Sequence, residues 1–115
     1  MPPNLVPSDP LSQVVFVHDY IQLVFQDTCF SLYNTTKLSI GERTVLQGQA
    51  GFADALVALI DLRVESVSTQ SDSILELSFE GGTKLQVLRG EPYARGPEAF
   101  QFTAIGTPIV AEENK

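Results

Sequence analysis

Apolar and polar side chains alternate at period two along most of this chain, a pattern that predicts strands whose two sides differ in burial. Over residues 14–34 β-branched and aromatic side chains dominate, and His18-Asp19 and Asp27-Thr28 are the only polar interruptions suited to turns. Two consecutive hairpins follow. With Asp27-Thr28 as the second turn, Phe25 faces Phe30 and Leu23 faces Leu32, so one side of the ribbon is wholly apolar and is expected in the core.

The same grammar recurs about 54 residues later, where Leu75, Leu77 and Phe79 precede Gly81-Gly82, and Leu85 and Val87 follow. A three-residue loop, Gly81-Gly82-Thr83, sets Phe79 against Leu85 and Leu77 against Val87, with one of the glycines taking the positive φ such a loop requires. Residues 20–33 and 73–88 thus read as an imperfect internal repeat. Ile21, Leu23, Phe25, Phe30 and Leu32 answer Leu75, Leu77, Phe79, Leu85 and Val87.

Between the hairpins, Phe52, Ala55, Leu56 and Leu59 fall at helical spacing and predict one helix of about three turns over residues 51–61, with Asp54 near its positive end. Leu62, Val64 and Val67 return the chain to strand. Residues 89–97 hold two prolines and two glycines and read as a loop. In the next strand Phe100 and Phe102 share one side and Gln101 and Thr103 the other, and a last short strand is expected at 109–111. Pro2, Pro3, Pro7 and Pro10 exclude a helix or central strand at the start. The division expected is therefore a proline-rich arm over 1–10, one β-rich domain over 11–111, and a polar tail over 112–115.

Composition narrows the classes. A chain of 115 residues with 43% hydrophobic residues supports a single core. Fourteen carboxylates against seven basic residues give a formal charge of −7, which disfavours nucleic acid and anionic lipid and is compatible with a basic partner. Cys29 is the only cysteine, so no internal disulfide forms and a reducing, cytoplasmic location is expected. No apolar run approaches the roughly 18 residues a spanning helix needs, and the N-terminus lacks the pattern of a signal peptide.

Candidate chemistry is sparse. His18 is the sole histidine and sits in a turn, which points to exposure rather than catalysis. Cys29 has no neighbouring cation to lower its pKa and reads as a small packing residue. Glu65 and Glu76 lie on strands that could bring them together, but alternation turns both outward. Gly81-Gly82 lacks the lysine-serine pair and following helix of a phosphate loop. No catalytic, metal or cofactor site is expected. In the loop after the second hairpin, Tyr93, Arg95 and Glu98 form a candidate interaction surface, because Tyr and Arg commonly anchor interfaces.

The order of parts is similar to that of a known family. An Asp-Tyr hairpin with Ile21, Leu23 and Phe25, a leucine-rich helix leading to Val64, a Leu77-x-Phe79-x-Gly-Gly-x-x-Leu85-x-Val87 hairpin and Glu98-Ala99-Phe100 together resemble small uncharacterised bacterial proteins. Some relatives of that family look like immunity proteins of polymorphic toxin systems. The likeness spans residues 14–102, and the chain departs from it with Gly81 in place of an aspartate and Phe100 in place of a tryptophan. It implies a fold and carries no functional residues across.

The architecture expected is α+β and mostly β: about seven antiparallel strands in a partly open barrel or sandwich with one short helix. The function expected is a noncatalytic protein-binding module, in its sharpest form an immunity-like inhibitor of a basic partner. Two rivals stand beside it: a small-molecule-binding barrel or minor enzyme with a pocket between helix and sheet, and a homo-oligomeric structural domain.

Overall fold

The computed structural model describes residues 5–18, 20–69, 73–89, 93–94, 98–104 and 110–113, with the side chains of Ser73, Glu98 and residues 110–113 outside that description. Their order is β1 (Gln13–Phe16), β2 (Ile21–Phe25), β3 (Thr28–Leu32), β4 (Thr36–Ile40), β5 (Arg43–Leu46), α1 (Phe52–Val57), β6 (Val64–Ser68), β7 (Ser73–Phe79), β8 (Lys84–Leu88), β9 (Glu98–Ala104) and β10 (Val110–Glu113). All pairings are antiparallel and form two five-stranded sheets, ordered β1-β2-β3-β9-β10 and β5-β4-β8-β7-β6. The mostly-β α+β class is therefore as expected, and the sheets stack without closing into a barrel. Ten strands are present among the described residues, and two beyond those expected are the hairpin over residues 36–46, which apolar alternation did not single out.

Burial follows period two. In β2, Ile21, Leu23 and Phe25 are buried while Gln22 and Val24 are only half-buried, and β7, β8 and β9 sort their residues the same way. The inward sets of both sheets meet in one apolar cluster that includes Phe25, Phe30, Phe79 and Phe100. Aromatic contacts knit its centre: Phe30 lies 4.7 Å from Phe102 and 6.2 Å from Phe25 between ring centroids.

Both long hairpins turn one residue earlier than expected. In the first, Phe25 pairs with Thr28 and Leu23 with Phe30, so the turn is Gln26-Asp27, with Gln26 at φ 25°. In the second, Leu77 pairs with Leu85 and the Phe79 N–H donates to the Thr83 carbonyl, so the loop is Glu80-Gly81-Gly82. Gly81 and Gly82 both take positive φ, 90° and 96°. Each correction slides one strand past the other by two residues, which leaves every side chain on its own face. The apolar sides stay inward for that reason.

The internal repeat has a topological counterpart. Three consecutive strands, β1-β2-β3, and the following hairpin β4-β5 make the first half of the chain; β6-β7-β8 and β9-β10 make the second. Each half builds three strands of one sheet and lends its hairpin to the other. The connections from β3 to β4 and from β8 to β9 therefore cross. There, Tyr33 N–H donates to the Ala99 carbonyl at 2.9 Å, and Leu88 N–H to the Thr35 carbonyl at 3.0 Å. These bonds occupy corresponding places in the two halves. Asn34, 1% exposed, lies between them and donates from Nδ2 to the Leu88 carbonyl at 2.9 Å.

The helix is shorter than expected. α1 spans six residues, and i→i+3 bonds at Leu59, Ile60 and Leu62 extend it as tighter 3₁₀-type turns around Asp61, which takes φ 80°. Phe52, Leu56 and Leu59 are its buried stripe. Part of the proline-rich arm packs against the domain through Leu5. Leu5 and Leu11 join the core, and Leu11 exchanges backbone hydrogen bonds with Asp61 and Leu62. At the other end β10 includes Glu112 and Glu113, so strand pairing runs two residues into the segment read as a polar tail.

Asn34→Ala removes the donor to a buried carbonyl and should cost about 1–3 kcal/mol. Asn34→Asp should cost more, since it turns a carboxylate oxygen toward that carbonyl. Denaturant titration checks both, and an unchanged midpoint for either variant would show that the crossing does not depend on Asn34.

Candidate functional site

The two sheets present unlike outer faces. On the second, Lys37, Gln86, Glu76 and Ser68 align across β4, β8, β7 and β6. Glu76 accepts from Gln86 Nε2 at 2.9 Å, and Lys84 Nζ stands 3.9 Å from its other oxygen. The carboxylate is thus paired and hydrogen-bonded on an ordinary charged surface.

The first sheet's outer face carries no charged side chain among the described residues of β1, β2, β3 and β9. Val15, Gln22, Ser31 and Gln101 form one row across these strands, and Gln13, Val24, Cys29 and Thr103 the next. Beyond the first row, Val17 and Tyr20 pair at the hairpin end and Tyr33 follows β3. The Tyr20 and Tyr33 rings lie 5.2 Å apart, tilted by 52°. Tyr33 Oη donates to Gln101 Oε1, and Gln22 Nε2 to Ser31 Oγ, each at 3.4 Å. The result is a preset lattice of rings, amides and hydroxyls. Charge depletion with tyrosine enrichment is the composition of an interface centre.

Of the surface expected at Tyr93, Arg95 and Glu98, the structure places the parts unevenly. Tyr93 is half-buried, and its carbonyl accepts the Thr35 N–H at 3.0 Å, which brings the loop to the crossing, two residues from Tyr33. All three tyrosines of the chain therefore gather at one end of the molecule. Glu98 opens β9. Arg95 and the Glu98 side chain lie outside the described residues.

The candidate chemical groups remain apart. His18 is in the β1–β2 turn, whereas Cys29 pairs with Val24 near the far end of the same sheet, roughly 13 Å away along the strand. Glu65 falls in the β6 bulge, about 10 Å along its strand from the Ser68 that faces Glu76. Among the described residues no three His, Cys, Asp or Glu side chains cluster at metal-binding distance. No described helix is long and apolar enough to cross a membrane.

Two shallow grooves are among those that open on the surface of the described residues. One, about 280 Å³, lies where β5 meets the start of α1 and is lined by Arg43, Thr44, Val45, Gln49, Ala50 and Gly51. The other, about 230 Å³, lies where the neutral face borders the β2–β3 turn, around Val24, Asp27, Cys29 and Thr103. Ligand pockets commonly hold about 300–1,000 Å³.

The neutral face was not singled out from the sequence, though a signal for it exists. Residues 20–26, 28–36 and 99–111 contain no Asp, Glu, Lys or Arg, an unusual reach in a chain with 21 charged side chains. Only the strand order reveals that these stretches share a surface.

Burial pushes the Cys29 thiol above its usual pKa, and the Ser31 hydrogen bond offsets part of that rise. The folded state thus holds the proton more tightly than the unfolded chain, so the contribution is complete below the usual thiol range and is lost as pH climbs through it. Alkylation of Cys29 at neutral pH should be slower than that of a free cysteine peptide, with its rate rising at a higher pH; equal rates would contradict this. Comparison of the chain with protein-family models, curated proteins and solved structures finds no match.

Proposed function

We propose that this chain is a noncatalytic binding module that docks another protein on the outer face of its first sheet. The uncharged surface around Tyr20, Tyr33, Gln22 and Gln101 carries the reading. A partner meeting it desolvates no ion, and its hydrogen-bonding groups are already held in place, which lowers the ordering cost of association.

The partner is a basic protein. A charge of −7 outside the contact steers such a protein in without placing charge beneath it. An immunity-like inhibitor of a basic toxin is the most specific form of this reading, supported by charge and by the resemblance to small bacterial proteins, and it places the chain in the cytoplasm. The separation of His18 from Cys29 favours binding over nucleophilic chemistry. The groove beside α1 favours a second reading, a small-molecule site with Arg43 at its wall.

Co-purification with products of adjacent genes is the test. A basic partner should be retained by the wild-type chain and by Lys37→Ala on the opposite face. Gln22→Arg and Gln101→Arg introduce like charge into the contact and should each weaken retention about tenfold or more. Equal retention by all four proteins would remove the docking face, and absence of any basic partner would remove the reading itself.

A further inference from the structure

β1 is an outer strand of its sheet, and its hydrogen-bonding phase shows where its remaining backbone groups point. Val17 and Tyr20 exchange both N–H···O=C bonds, so by antiparallel alternation Val15 and Gln22 form the next such pair. Val14 and Phe16 then turn their N–H and C=O groups away from β2. Among the described residues, no turn or loop backbone bonds to them.

The other outer strands are blunted. At β5, Leu46 donates to Gln49 Oε1 at 2.7 Å and accepts from the Gln49 N–H at 2.9 Å, so a turn residue holds the place of a neighbouring strand. β6 is interrupted by a bulge beside exposed Glu65, and β10 carries Glu112 and Glu113 in its sequence. β1 has none of these devices. Its run Val14-Val15-Phe16-Val17 is apolar, and Phe16 and Val17 are 50% and 38% exposed. The remaining exposed large apolar side chain among the described residues, Val57, belongs to α1, which packs beside β1.

We propose that β1 is a self-association edge, where a second copy of this chain pairs antiparallel about a two-fold axis through Val15. The two five-stranded sheets then join into one of ten strands. Three observations select a copy as the occupant. In this register the free backbone groups of Val14 meet those of Phe16 of the second copy, and the facing side chains are Val14 with Phe16 and Val15 with Val15. Copies each carrying −7 repel wherever carboxylates meet, and residues 13–17 have none. The uncharged outer face continues unbroken across the join. This edge adjoins the proposed docking face at Val15, but the pairing uses the backbone of β1 and does not rest on that reading.

Sedimentation of the full chain at rising concentration should show twice the chain mass, and Phe16→Lys should return it to the single-chain mass. In a Cys29→Ser background, mild oxidation should cross-link Val15→Cys to itself, because residues opposed in a narrow antiparallel pair lie about 4.5 Å apart between Cα atoms. Val17→Cys faces Gln13 of the second copy and should stay uncross-linked. Single-chain mass at every concentration, a persistent dimer in folded Phe16→Lys, or equal cross-linking of the two cysteine variants would each overturn the proposal. If Phe16→Lys fails to fold by circular dichroism, the cysteine pair still decides.

Discussion

Where the β3–β4 connection passes the β8–β9 connection, two strands that belong together in sequence are committed to different sheets. Only Tyr33, Asn34 and Thr35 separate β3 from β4. Three residues span roughly 10–14 Å when extended, barely enough to step between sheets stacked about 10 Å apart. The link has no slack, so its backbone cannot bulge out to water. Its polar groups are satisfied in place, by Ala99, Leu88 and Tyr93, and Asn34 adds a side-chain donor where the backbone donors are already in use. Each half of the chain is thereby held within the other.

Side-chain periodicity foretold which residues are inside and left open which residues are opposite. Phe25 and Phe30 are on one face whether they pair with each other or, as observed, with Thr28 and Leu23, because a slide of two residues conserves facing. Turn chemistry decides between those registers. Here it favoured Gln26-Asp27 and Glu80-Gly81-Gly82, with Thr28 Oγ1 reaching back 3.5 Å to the Phe25 carbonyl. The β4-β5 hairpin was harder to see for another reason. Thr36, fully buried, occupies a core position with a polar side chain, and Leu38 and Ile40 alone make a short apolar signal. Its buried hydroxyl is accommodated by the Asn34 carbonyl at 3.4 Å, a contact the crossing creates.

The neutral face was illegible for a topological reason. Gln22 and Gln101 are far apart in sequence and become neighbours through Ser31 only because β9 crosses from the second half of the chain to pair with β3. A reading confined to local patterns credited the loop of Tyr93, Arg95 and Glu98, since aromatic and basic residues lie together there in sequence. Tyr93 does reach the same end of the molecule as Tyr20 and Tyr33. Local composition marks that loop, whereas the strand surface beside it emerges only from the strand order.

Charge placement gives that surface its physical character. Asp27, Glu42, Asp54, Asp61 and Glu65 are exposed at turns, bulges and the helix start, while Glu76 is matched by Lys84 and Gln86. Negative potential thus comes from the periphery, where it acts over roughly 8–10 Å at moderate salt, and is absent from the neutral face itself. A basic protein approaching such a field would gain speed and orientation before contact, and on the proposed reading it then buries rings and amides instead of ions. The same absence of carboxylates is what the proposed pairing of two copies along β1 requires, given their net repulsion. Keeping acid off β1 and the described neutral face makes both proposed contacts compatible with one acidic chain.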